Sequence, residues 1–302
     1  MTVQRVRKAV IPAAGWGTRF LPFTKSVPKE MLPVIDRPAI QYIVEEAVRA
    51  GIDDILLITS PYKKAIEDHF DRTAELETLL SSTGKEDAAA EVRALADLAE
   101  VHSVRQGQAL GLGHAVGMAR RHVGDEPFAV LLGDDMMHPE SPLLGDMIAA
   151  TEERGTSTIA LMRVPKEDVS KYGSAAVEPI DGHASLVKVN HLVEKPPIEE
   201  APSDLAVIGR YVFTPEIFEH IERTAPGKGG EIQLTDAMAT LAAGSGVNGV
   251  VFEGGRYDVG NKIDYLRTIL ELGAERDDIR PGLLQVVRDF AAREGLFDEG
   301  SA

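Results

Sequence analysis

The chain has 302 residues, with 48 acidic against 32 basic side chains, a net charge of −16 and no cysteine. That balance argues against nucleic acid or an anionic membrane as a broad-surface partner. The lack of cysteine excludes disulfides, thiolate chemistry and cysteine-built zinc sites.

A 44% hydrophobic share fits a soluble globular protein with a substantial core. No run reaches the ~20 apolar residues of a membrane span. The first apolar run is too short for a secretory signal, so a cytoplasmic location is expected.

The first half alternates strand and helix signals. Residues 8–14, KAVIPAA, read as a short apolar strand. Residues 37–51 read as a helix, with Pro38 near the first turn and Gly51 just past the end. A buried strand follows at 53–60, then a helix from 63 to 70. Residues 71–100 are rich in Ala, Leu and Glu and predict two short helices broken near Ser81–Gly84, with a surface loop as the alternative for 82–88. Then come a strand at 101–106, a helix at 113–123 and a strong apolar strand from 127 ending in Gly133, Asp134 and Asp135. Alternation of this kind implies a parallel sheet with helices on both faces.

Beyond residue 155 the pattern changes. Strand-like runs at 156–164, 173–180, 185–195 and 206–213 have few helices between them, and Asp181-Gly182 predicts a hairpin turn. Helix signals return at 215–223, 231–243, 262–275 and 281–295. The expected fold is α/β and Rossmann-like. It has a mixed, mainly parallel central sheet flanked by helices and a smaller antiparallel part.

Several stretches carry chemistry. Gly15 and Gly17 form a glycine loop after the first strand, but position 20 is Phe, so the dinucleotide fingerprint is absent. Walker A is absent too. Arg19, Lys25 and Lys29 fall within eleven residues that contain no acid, and Pro22 and Pro28 stiffen them. Backbone N–H groups plus fixed cations make a cradle for polyphosphate.

Asp134 and Asp135 leave a strand together; they either cap a turn or supply a carboxylate to a hard cation such as Mg²⁺. Asp258, in a glycine-flanked loop before a helix, is a second candidate. Gln108 and Gly113 open another glycine-rich helix entrance and read either as contacts to a base edge or as plain packing. Glu194 and Lys195 are either an exposed ion pair or a sugar and phosphate contact. Glu231 and Gln233 sit at a helix start. Trp16 reads either as a lid over a ligand on its loop or as packing under that loop, and packing is expected.

In order and spacing, the segments AAGWGTRFLPFTKSVPKEMLPV, RQGQALGLGHAV, LLGDD, VEKP, GEIQLTD and YDVGNKIDY resemble the sugar-nucleotide pyrophosphorylases, in their UTP–glucose-1-phosphate uridylyltransferase branch. The resemblance runs from about residue 8 to about 275. It implies a single nucleotidyltransferase domain over 1–302, with a nucleotide half at 8–135 that includes the 71–100 insertion. A sugar-phosphate half follows at 136–261, then C-terminal helices at 262–302.

The implied reaction joins UTP and glucose 1-phosphate into UDP-glucose and pyrophosphate with Mg²⁺ as cofactor. The implied nucleotide contacts are Ala13, Ala14, Gly15, Gly17, Lys25, Gln108 and Gly113. Arg19, Lys29, Lys195 and Asp134 would act on the reacting phosphates, and Asp134 and Asp258 would hold the metal. Asp135, Gly173, Glu194, Lys195, Gly209, Glu231 and Gln233 would line the sugar-phosphate side. A homodimer or homotetramer is expected from the same resemblance. The alternatives are a thymidylyl or similar transferase, a glycosyltransferase that consumes a nucleotide sugar, and a non-catalytic sugar-nucleotide-binding relative.

Overall fold

A computed structural model describes residues 4–296; the outermost parts of the expected 1–302 domain and 262–302 helices lie outside the described residues. The chain opens with strand β1 (Lys8–Pro12). A loop with three single turns of 3-10 helix then leads through the paired two-residue strands β2 (Pro33–Val34) and β3 (Arg37–Pro38) into helix α1 (Ala39–Arg49). Next come β4 (Asp54–Thr59) and α2 (Lys64–Phe70). The insertion folds as two helices, α3 (Ala74–Ser82) and α4 (Glu86–Ala96), so residues 86–88 are helical rather than loop.

β5 (Glu100–Arg105) precedes a helix that splits into α5 (Leu112–Gly117) and α6 (Arg120–Val123). β6 (Phe128–Leu131) ends two residues earlier than its apolar run, and β7 (Asp135–Met137) begins at the second aspartate. The second half continues as α7 (Leu143–Arg154), β8 (Thr158–Arg163), β9 (Gly173–Pro179), β10 (Leu186–Glu194) and β11 (Leu205–Phe213). It closes with α8 (Ile217–Arg223), α9 (Leu234–Ala243), β12 (Val247–Phe252), β13 (Arg256–Asp258), α10 (Lys262–Glu275) and α11 (Arg280–Arg293).

Nine strands form one mixed sheet in the order β5-β4-β1-β6-β11-β8-β12-β10-β9. The first four are parallel, β11 runs antiparallel to both its neighbours β6 and β8, and β9 and β10 form the hairpin expected around Asp181-Gly182. Side chains of a strand point alternately to its two faces, and here both faces are covered. Ala9 and Ile11 of β1, Ile55 and Leu57 of β4 and Ala129 and Leu131 of β6 meet α1 and α7 in one core. Val10, Leu56, Ile58, Phe128 and Val130 meet α5, α8 and α9 in the other. Every residue of β11 is buried, as a strand at the centre of such a sheet requires.

One charged pair lies inside this sandwich. Arg210 on β11 is fully buried and donates to both carboxylate oxygens of Glu46 on α1, at 2.8 and 2.7 Å. Removing one member of a buried pair strands the other charge. Glu46→Ala is therefore expected to cost about 3–5 kcal/mol in unfolding free energy, measured by urea denaturation.

Candidate active site

In a parallel sheet, ligands bind outside the carboxyl ends of the strands. Here those ends are Pro12, Thr59, Arg105 and Leu131. They open on a cleft of about 290 Å³ whose wall includes Ala14, Gly15, Lys29, Gln106, Asp134 and Glu231. A larger hollow, about 650 Å³ and lined by Arg7, Asp53, Asp97 and His102 among others, lies at the opposite, amino ends of β1, β4 and β5. It holds none of the motif residues.

The glycine loop shapes the near side. Gly17 has a φ of +65°, and a Cβ there would press on Lys29 and Thr24 at 3.1–3.2 Å. Glycine is thus required both for the backbone turn and for the approach of Lys29. Lys29 follows Pro28 and ion-pairs with Asp134. Arg19 reaches back over the same place, its Nη1 donating to the carbonyl oxygen of Gly260 at 3.5 Å.

The two expected metal carboxylates converge. A Cβ on Gly260 would stand 2.7 Å from Asp134 Oδ2 and 3.0 Å from Asp258 Oδ1, so glycine leaves open the space that both acids face. Among the described residues no cluster of three or more His, Asp or Glu side chains has metal-binding geometry. A two-carboxylate set is nevertheless what Mg²⁺ takes when phosphate oxygens and water complete its shell, and Asp134 and Asp258 fit that ion.

Their electrostatics differ. Burial alone would raise the Asp134 carboxyl, but the charge and hydrogen bond of Lys29, with Arg19 behind, hold it below the ordinary carboxylate range. Asp258 is pushed up by burial, with the charges of Asp134 and Asp135 adding to it against the opposing charges of Arg256 and Arg19.

Beneath the rim lies a pair the sequence reading missed. Glu30 is fully buried, and its Oε2 accepts from Lys63 Nζ at 2.6 Å. Burial raises Glu30 and lowers Lys63. Glu30 Oε1, also buried, has no hydrogen-bond partner among the described residues. Gln106 was also missed. It is buried in the cleft wall, with its Nε2 2.8 Å from His114 Nδ1 and 3.3 Å from the Gly111 carbonyl oxygen.

On the far side, Lys195 stands at a φ of +43° and pairs with Glu194 Oε1 at 2.8 Å. Glu194 Oε2 accepts from Thr235 at 2.6 Å, over Gly173. Gln233 Nε2 and Glu231 Oε2 are 3.4 Å apart. Lys25 and Gln108 are exposed on their loops.

The structure bears on five of the expected positions. Asp135, expected on the sugar side, is buried, and its carboxylate accepts from Arg256 and from the N–H of Gly209. Gly209 is small because Asp135 lies against it, 2.6 Å from where a Cβ would be. Gly113 makes its close approach to the chain itself, donating its N–H to Ile232 at 2.9 Å. Trp16 is not packed under its loop; it is 64% exposed, its ring 5.5 Å from that of Tyr62. The N–H of Ala13 is likewise engaged, by Ile58, which leaves Ala14 and Gly15 as the open backbone.

The raised Asp258 carries a linkage prediction. A carboxyl whose folded pKa lies above its unfolded value takes up a proton on folding, so its charge costs stability as pH rises through that window. In metal-free buffer Asp258→Asn should raise the melting temperature at pH 7. That gain should vanish below the ordinary carboxylate value of about 3.9, as read by circular dichroism melts across pH.

With this geometry in place, comparison with known proteins is direct. Residues 8–275 match the nucleotidyl transferase family. The UTP–glucose-1-phosphate uridylyltransferase YngB of Bacillus subtilis is 50% identical over 291 residues, which cover 96% of this chain and 97% of that one. A UTP-bound UDP-glucose pyrophosphorylase from Acinetobacter baumannii superposes with a TM-score of 0.86 at 41% identity, over 93% of this chain and 98% of that one. A UDP-glucose pyrophosphorylase complexed with UDP-glucose gives 0.81 at 41% identity, over 90% and 100%. With its glycine loop, paired rim acids and mixed sheet, the chain belongs to the nucleotidyl transferase family of enzymes.

Proposed function

We propose that this enzyme transfers the uridylyl group of UTP to glucose 1-phosphate, forming UDP-glucose and releasing pyrophosphate. The observation that carries the reading is the convergence of Lys29, Asp134 and Asp258 at the edge of a glycine-lined cleft. The similarity to uridylyltransferases over nearly the whole chain supports the choice of UTP and glucose 1-phosphate.

The reaction brings two anions together. At ~4 Å and a surface-like effective dielectric, each pair of unit charges repels by about 4 kcal/mol. Arg19 and Lys29 hold the UTP phosphates, with Lys25 and Gly17 in the same loop. Ala14 and Gly15 offer backbone atoms to the nucleoside, and Gln106 and Gln108 offer side-chain amides to the base. Lys195 meets the sugar phosphate, and Glu194 stands beside it to accept from sugar hydroxyls. Glu231 and Gln233 border the same space.

A glucose 1-phosphate oxygen forms a bond to the α-phosphorus of UTP as the bond to the β-phosphate bridging oxygen breaks, in line. The nucleophile is already ionised, so the chain needs no general base. Asp134 and Asp258 would hold Mg²⁺, which would neutralise charge on the phosphates. Lys29, ion-paired with Asp134 here, is the cation placed to meet the phosphates.

The chain is read as one domain over 1–302, working in the cytoplasm; no helix among the described residues is long and apolar enough to cross a membrane. Ile263, Leu266 and Leu270 on α10 and Val286 and Phe290 on α11 are exposed apolar residues, and they support self-association as a homodimer or homotetramer. Light scattering on the purified chain tests that.

A panel of nucleoside triphosphates and sugar 1-phosphates, with and without Mg²⁺, scored by pyrophosphate release, tests the activity. UTP with glucose 1-phosphate should dominate; preference for another pair, or binding of UDP-glucose without turnover, defeats the reading. Asp134→Asn and Asp258→Asn should each lower kcat by about 10²-fold or more, the scale of losing a group that stabilises transition-state charge. Lys195→Ala should chiefly raise KM for glucose 1-phosphate, and unchanged kinetics for that substrate would remove Lys195 from the site.

A further inference from the structure

Arg256 has no role in the reading above, yet it lies between the two halves of the site. It begins β13, two residues before Asp258. Its Nε donates to Asp135 Oδ1 at 2.8 Å and its Nη2 to Asp135 Oδ2 at 3.0 Å. Asp135 directly follows Asp134. The third nitrogen, Nη1, points the other way, to the Tyr172 hydroxyl at 3.4 Å, and the guanidinium carbon stands 5.3 Å from the centre of that ring. The carbonyl oxygen of Tyr172 in turn accepts the N–H of Lys195 at 3.0 Å.

Two local weaknesses give these contacts weight. β7 and β13 have three residues each and form their own two-stranded sheet, with Asp258 opposite Asp135. So short a ladder is marginal by itself, and a buried side-chain fork laid diagonally across it fixes where Asp258 stands against Asp134. Lys195 is the second weak point. A lysine at a φ of +43° stays there only if its surroundings hold it, and the bond to Tyr172 is one such hold. Neutralising Asp135 alone would need only a charge; the planar fork that also meets Tyr172 needs arginine.

We propose that Arg256 is a positioning residue that couples the divalent-ion site of Asp134 and Asp258 to the turn carrying Lys195, setting the distance between metal and sugar phosphate. The proposal deepens the uridylyltransfer reading and rests on it.

The test uses the full chain and two variants. Arg256→Lys keeps the charge opposite Asp135 but loses the fork. Asp135→Asn combined with Arg256→Met removes the buried pair as a unit while keeping an acceptor for the Gly209 N–H, and neutral replacement of a buried pair generally preserves folding. Calorimetry gives UDP-glucose affinity with Mg²⁺ and with a chelator, kinetics give KM for each substrate, and circular dichroism gives the melting temperature.

Both variants should lose at least about fivefold of the Mg²⁺-dependent gain in UDP-glucose affinity, a change of roughly 1 kcal/mol. They should raise KM for glucose 1-phosphate by a similar factor and leave KM for UTP within about twofold. Folded variants that keep both the metal response and the glucose 1-phosphate KM overturn the proposal. So does a loss that tracks melting temperature and spreads to UTP, because that is what a merely structural residue produces. If the unaltered chain shows no Mg²⁺ response in binding UDP-glucose, the uridylyltransfer reading fails first and the inference with it.

Discussion

Four charges run from the interior to the rim in alternating sign: Lys63, Glu30, Lys29 and Asp134. Taking charges out of water costs several kcal/mol per ion, and only close opposite partners offset it. Each member here is tolerable because of the next. The outermost cation is therefore placed by the core rather than by solvent, with Pro28 and the single 3-10 turn Lys29–Met31 fixing the backbone under it. Gly17 lets the loop lie close over that lysine. On the proposed chemistry, Lys29 and Asp134 each protect the other until a polyphosphate and a cation arrive, and then change partners without either being left bare.

The sheet places this line. Parallel strands direct their carboxyl ends to one rim, and the reversal at β11 brings the second half of the chain to the same place. The β9–β10 hairpin curls so that Ser174 also pairs with Ala206 on β11, which carries Glu194 and Lys195 towards the rim acids. Between the halves, Asp135 and Arg256 are used up inside. Their carboxylate and guanidinium satisfy each other.

Much of this was legible in the sequence, because periodicity is local. The strand and helix succession, the paired helices of the insertion and the Asp181-Gly182 hairpin all follow from spacing and turn chemistry. What stayed hidden depends on partners distant in sequence. Two adjacent aspartates look alike until strand alternation turns one inward to an arginine 121 residues away. Gly113 and Gly209 look like open approaches for a ligand, but Ile232 and Asp135 take up the room. Glu30 directly follows the run of three cations, a placement that marks a neutralising role; only the fold shows that its partner, 33 residues on, is Lys63. Packing under the loop is the sequence expectation for Trp16, whereas the loop turns it outward to Tyr62.

That outward turn makes Trp16 useful for observing the protein. It is the sole indole in 302 residues and sits between the two glycines of the first loop, two-thirds exposed. Excitation near the red edge of protein absorbance addresses this one ring, so emission colour and quenching report on the glycine loop alone, with no label attached and no background from the rest of the chain.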